Sequence, residues 1–209
     1  MGVPVLILGE SGSGKSTSLR NFDPNEVVIY NVAGKPLPFR SGTKMMKANN
    51  PSYGVILANL SKKKFKRYVI DDSQYLMCFE LFDRSAEGGY AKFTEMAKHF
   101  FDLVQFVIRQ MPDDVIVYYL HHVEMAGEKY KAKTVGRMLD EKLTVEGLFS
   151  IVLMTKNIDG KHFFITQSDG TDTVKTPMDM FSAAQIDNDL KIVDQTIRAY
   201  YGMTTGKED

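Results

Sequence analysis

Val3–Leu8 is a nearly unbroken aliphatic run that stops at Gly9, and a glycine-rich stretch follows it directly. A run this short and this apolar suits a strand covered on both faces, as in a parallel sheet. Thr17–Phe22 then opens a helix. Strand, glycine loop and helix in immediate succession commit the chain to a βα unit from its third residue. Four further runs look similar: Val27–Val32, Tyr68–Ile70 leading into Asp71-Asp72, Val115–Leu120 and Leu148–Met154. Segments of helical period lie between them. The clearest is Phe93, Ala97, Phe100, Val104, Val107 and Met111, ended by Pro112. Such alternation predicts an α/β fold, a mainly parallel sheet flanked by helices.

The last third departs from that rhythm. Leu148–Thr155 and Lys161–Thr166 are separated by Asn157-Ile158-Asp159-Gly160, and an Asp-Gly pair supplies the positive-φ positions of a tight turn. A C-terminal antiparallel hairpin is therefore expected. Residues 168–184 read as a polar loop. Asp187 is expected to cap a last helix with the stripe Leu190, Val193, Ile197 and Tyr201, stopped by Gly202. One domain over residues 1–202 and a flexible tail over 203–209 follow.

Composition narrows the classes. Lys and Arg total 26 and Asp and Glu total 26, which excludes a polybasic protein but not a local basic face. The single cysteine, Cys78, allows no internal disulfide and fits a reducing cytoplasm. No stretch has the length and apolarity of a membrane span, so no membrane partner is expected.

Gly9-Glu10-Ser11-Gly12-Ser13-Gly14-Lys15-Ser16 fills every fixed position of the pattern G-x-x-x-x-G-K-[ST]. Successive backbone N–H groups in such a loop form an anion nest, and the following helix adds the positive end of its dipole. Glycines admit phosphate where a Cβ would clash. The expected nucleotide-binding run is Gly9, Glu10, Ser11, Gly12, Ser13, Gly14, Lys15, Ser16 and Thr17. Lys15 would reach the β- and γ-phosphates, and the Ser16 hydroxyl would ligate Mg²⁺. The ligands implied are thus ATP and Mg²⁺. Asp71, at the end of a buried strand, is the expected second Mg²⁺ residue. Asp72 either orients the attacking water or caps the helix from Gln74 onward. Strand alternation sends the two carboxylates in opposite directions, so only one should face the metal.

The chain resembles a RecA-type ATPase reduced to its core, and more particularly the small phage-encoded, core-only RecA-like ATPases associated with single-strand annealing and recombination. The stretches that carry the resemblance are Asn31–Phe39, Val69–Leu76, Lys133–Lys142 and Ile186–Leu190. The resemblance implies a recombination ATPase acting on single-stranded DNA by annealing or loading. It also implies a homo-oligomeric ring or filament, a single-stranded-DNA-binding protein as a further partner, and the cytoplasm of a bacterial host as its location. No N-terminal domain is expected before the first strand.

The same resemblance assigns roles. His122 or His121, at the end of the fourth run, would sense the γ-phosphate, unless that histidine is simply satisfied by a backbone carbonyl. Glu124–Leu143 would be a loop contacting DNA through Lys129, Lys131, Lys133 and Arg137, with Tyr130 stacking on a base; the alternative is a solvated charged loop. Lys175, shortly before Pro177, would reach the γ-phosphate of a neighbouring subunit or stand as a surface charge. One departure is plain. RecA proteins end their second strand on a catalytic glutamate, whereas this one ends Asn31-Val32-Ala33-Gly34. Asp72 would have to substitute. Two other classes stay open: a small-molecule phosphotransferase sharing only the loop, although no arginine cluster of a kinase lid follows the fourth run, and a nucleotide-dependent scaffold of little turnover.

Overall fold

The computed structural model describes residues 1–136 and 138–203. Arg137 and residues 204–209 of the expected tail lie outside that range.

Among the described residues, nine strands and four α-helices build the fold, and a sheet organises it. The strands are β1 (Val3–Gly9), β2 (Val28–Asn31), β3 (Met46–Asn49), β4 (Arg67–Asp71), β5 (Ile116–Ala126), β6 (Lys129–Ala132), β7 (Ile151–Ile158), β8 (Lys161–Ile165) and β9 (Gln185–Asp187). They lie in the order β3-β2-β4-β5-β1-β7-β8-β9, with β6 paired to β5 beyond the main path. Every pair from β3 to β7 along that order is parallel. The β7–β8, β8–β9 and β5–β6 pairs are antiparallel. The sheet is thus mostly parallel and mixed, with the antiparallel hairpin at its C-terminal side. Asp159 and Gly160 in that hairpin turn both take positive φ, as its tight reversal requires.

The helices are α1 (Tyr53–Leu60), α2 (Gln74–Asp83), α3 (Ala91–Gln110) and α4 (Leu190–Tyr200). Alternation along β1 shows how they cover the sheet. Leu6 and Leu8 pack into the core under α1, α2 and α3, while Val5 and Ile7 pack into the core under α4. All four are fully buried, each worth about 1.5–3 kcal/mol of transfer free energy. Helix α3 turns Ala97, Phe100, Leu103, Val104 and Val107 into the first core. Among the described residues no helix is long and apolar enough to cross a membrane.

Four local expectations need correction. The helix after the glycine loop is a short 3₁₀ helix, Ser16–Asn21. The Ser18 amide is shared between the Gly14 and Lys15 carbonyls and its hydroxyl donates to Lys15 O at 2.6 Å, which tightens the first turn. Strand β5 runs on to Ala126, so the segment from Glu124 begins as a β5–β6 hairpin rather than a loop. Leu148 belongs to a 3₁₀ turn, Val145–Leu148, ahead of β7. Asp187 lies in β9, and Asp189 caps α4 by accepting from the Lys191 amide.

Candidate active site

Strand order decides what meets at the rim. β5 lies between β1 and β4, and Gly9 registers opposite His122. The end of β1 therefore faces the acidic end of β4 with the two β5 histidines between them. A cleft of about 250 Å³ opens there, lined by Ser11, Gly12 and Gly14–Thr17 of the loop and by Asn31, Lys35, Asp71, Asp72 and His122.

The loop is held from the opposite flank by a residue the sequence did not single out. Thr155 of β7 donates to Leu8 O at 3.1 Å, and its hydroxyl lies 2.6 Å from Ser13 Oγ. Gly14 takes φ +104°, and a Cβ there would sit 2.8 Å from the His162 ring. His162 Nδ1 is buried there with no hydrogen-bond partner among the described residues.

Lys15 is 5% exposed and folds over its own loop, donating to Gly9 O and Glu10 O at 2.8 Å each. Burial pulls its ammonium down to about 8, against the pull of Asp72 and Asp71. Ser16 Oγ donates to Asp71 Oδ1 at 2.8 Å. Burial pushes the Asp71 carboxyl up to about 6, and the neighbouring Asp72 charge adds to the rise while the Ser16 bond opposes it. Among the described residues no group of three or more His, Cys, Asp or Glu gathers to hold a metal. A hydroxyl and a carboxylate side by side still suit Mg²⁺, which takes one or two protein oxygens and leaves its other positions to phosphate and water.

The two aspartates do not point apart. Asp71 ends β4, and Asp72 turns the chain with φ +58°, so strand alternation stops between them and both line the cleft. Asp72 accepts from His122 Nε2 and from Lys35 Nζ, each at 3.1 Å. Burial alone would raise its carboxyl, but those two bonds outweigh burial and hold it below the usual range. Of the two readings of Asp72, the helix cap is not what its side chain does.

The histidines divide. His121 is fully buried between Ser73 Oγ, 2.9 Å from Nδ1, and Lys133 O, 2.8 Å from Nε2. A carbonyl can only accept, so Nε2 carries the proton and Nδ1 accepts from Ser73. Burial holds this ring's affinity for a second proton down to about 4, despite the Lys133 carbonyl. His121 is therefore the satisfied strand-end histidine, and His122 is the one in the cleft.

The basic residues of the hairpin sit on its outer side. Lys129 is exposed near the turn, Lys131 lies 3.6 Å from Glu124, and Lys133 is exposed while its amide donates to His122 O. Tyr130 is half-buried against the core and lines a second pocket with Ser11, Gly12 and Ser13. Lys175 is exposed, with its backbone bridged to Val152 of β7. Val152 registers with Leu6, three residues and about 10 Å back along β1 from Gly9. Lys175 thus stands well away from the cleft of its own chain. Of the remaining residues, sequence reasoning missed Lys35 and Asn31, both in the cleft.

No protein-family model matches the chain, and a search of curated proteins finds no match either.

Proposed function

We propose that the chain binds and hydrolyses a nucleoside triphosphate, ATP with Mg²⁺, and acts as a RecA-like ATPase on single-stranded DNA during annealing or loading in recombination. The observation that carries the nucleotide part is the cleft itself, where Lys15, the Ser16–Asp71 pair and Asp72 converge beside a glycine loop. Its small volume suits a polyphosphate. A groove of about 1160 Å³ shares Thr17 with the cleft and offers Phe163, Phe181 and Asn188 to the base and ribose.

Lys15 would give up its two loop carbonyls for phosphate oxygens, a stronger charge-assisted pair. Ser16 and Asp71 would hold Mg²⁺, whose charge when bound offsets that of the phosphates. Asp72 would accept the proton of a water whose oxygen bonds to the γ-phosphorus. The bond from that phosphorus to the β–γ bridging oxygen breaks, and the diphosphate leaves with the oxygen and its electron pair. His122 holds Asp72 from the β5 side, and its strand continues into the hairpin that carries Lys129, Tyr130, Lys131 and Lys133, with Arg137 beyond it. That continuity supports a link between nucleotide state and DNA contact. Lys175 would serve a neighbouring subunit in a ring or filament, since it lies far from its own cleft.

One observation favours the scaffold reading instead: Asp72 is engaged on both oxygens, by Lys35 and by His122. Measuring ATP hydrolysis with and without single-stranded DNA separates these readings. DNA-stimulated turnover is expected. Nucleotide binding without turnover identifies the scaffold, and phosphoryl transfer to a small acceptor identifies the phosphotransferase.

A further inference from the structure

At the end of β2, where the resemblance would put a glutamate and the sequence has Asn31, that asparagine fixes a lysine. Asn31 is buried, and its amide donates to Lys35 O at 2.7 Å and to Asn49 Oδ1 at 2.9 Å. Both of its amide protons are thereby used. Gly34 takes φ +68°, and a Cβ there would lie 2.2 Å from Asn50 Oδ1. Its amide and that of Asn50 both donate to Asn31 O. Pro36 and Pro38 follow and also line the cleft. The Lys35 backbone is thus locked at the rim by the edge strand.

Its side chain is not locked. It is 62% exposed, and its ammonium rests 3.1 Å from Asp72 Oδ2 and 5.1 Å from the Tyr75 ring centroid. The lysine end of the pair is exposed while the Asp72 end is shielded, so the flexible stem can carry its ammonium from Asp72 to another anion entering beside it. Lys35 and Lys15 approach the same small cleft from opposite walls, closely enough to repel. Two ammonium groups so placed, each parked on an oxygen of the protein, suit a polyanion entering between them.

We propose that Lys35 is a second phosphate-binding cation of the cleft, leaving Asp72 for the terminal phosphoryl group of a triphosphate and so distinguishing triphosphate from diphosphate. The inference rests on the nucleotide reading of the cleft. With the inner phosphates in the glycine loop, the terminal one extends toward Asp72 and Lys35, and a diphosphate ends short of them. The exchange has a second effect. Asp72 keeps His122 but gains a free oxygen, which is the group needed to hold a water. The residue that covers Asp72 Oδ2 is also the one that a triphosphate draws away.

The test is the affinity of the full chain for a non-hydrolysable ATP analogue and for ADP, each with Mg²⁺, by calorimetry. Lys35→Ala is expected to weaken the triphosphate analogue about ten- to a hundredfold, as loss of one charge-assisted contact does, and to leave ADP within twofold. Lys35→Arg is expected to restore most of the difference. Lys35→Gln, which keeps the stem over Tyr75, serves if the alanine variant melts early. An unchanged ratio of the two affinities, or equal losses for both, overturns the inference while leaving the nucleotide site standing. Failure of the parent to bind either nucleotide overturns the site reading and this inference with it.

Discussion

Strand β4 carries a charge at each end, and the two ends sit in unlike surroundings. Arg67, its first residue, donates to Asp194 Oδ2 at 2.6 Å. Arg198 Nε donates to the same oxygen, and Tyr118 donates to Oδ1. The remaining Arg198 nitrogens donate to Asp114 O and Lys66 O. Asp194 and Arg198 are almost wholly buried. Asp71, the last residue of β4, accepts from the Ser16 hydroxyl and faces an open cleft. Its carboxyl is pushed up while the nearby Lys15 ammonium is pulled down. Burial alone therefore does not mark a functional charge. A closed network satisfies its charges internally and ties α4 to the sheet. An incomplete one leaves its charged forms short of solvation, as a site awaiting an ionic ligand does.

Substitutions at the two ends should separate cleanly. Lys15→Ala is expected to abolish nucleotide binding and turnover while the melting temperature holds or rises, since a poorly solvated ammonium is removed. Turnover by a folded Lys15→Ala protein would remove the basis for the cleft as a nucleotide site. Asp194→Ala should do the reverse. It strands two arginines and costs about 3–5 kcal/mol in urea unfolding, yet nucleotide affinity measured well below the melting point should stay within twofold. A large loss of affinity there would mean that the two clusters are not independent.

A finer cut lies within the cleft. Asp72→Asn should lower turnover about a hundredfold or more with nucleotide affinity nearly unchanged, whereas Asp71→Asn should weaken Mg²⁺-dependent binding. Matching losses of binding in both variants would dissolve the division between them. The smallest effect is expected at the hairpin. Lys129→Ala with Lys133→Ala should reduce the salt dependence of single-stranded DNA binding, by a log–log slope of about 0.7 per lost phosphate contact. An unaltered slope would detach the hairpin from DNA.

The readable parts of the fold were those in which several residues repeat one message. β1 and the loop follow a fixed spacing, and the β7–β8 turn is announced by Asp159-Gly160. Strands β3, β6 and β9 went unseen because they are three or four residues long, polar and marginal to the sheet. β5 was read short because its sequence turns polar where it leaves the sheet for the hairpin. In the site, Lys15, Ser16 and Asp71 were legible from pattern, since the strand–loop–helix context fixes their places. The placement of Asp72 was not, because it depends on one backbone angle. Nor was Lys35, whose position depends on a contact between Asn31 and an edge strand eighteen residues on.

That one backbone angle also limits which residues can stand at position 72. The left-handed region at φ +58° is open to glycine and readily visited by asparagine and aspartate, but it resists most longer side chains. Glutamate, the usual longer reach toward a water, would carry a modest strain in this turn, about 1–2 kcal/mol. The residues this bend favours are glycine, asparagine and aspartate, of which aspartate alone carries a carboxylate, although Lys63 and Thr144 take a similar φ elsewhere in the chain. A lineage that kept the bend could hold an acid here with least strain as aspartate, and a designer seeking a longer carboxylate would have to offset the strain of the turn.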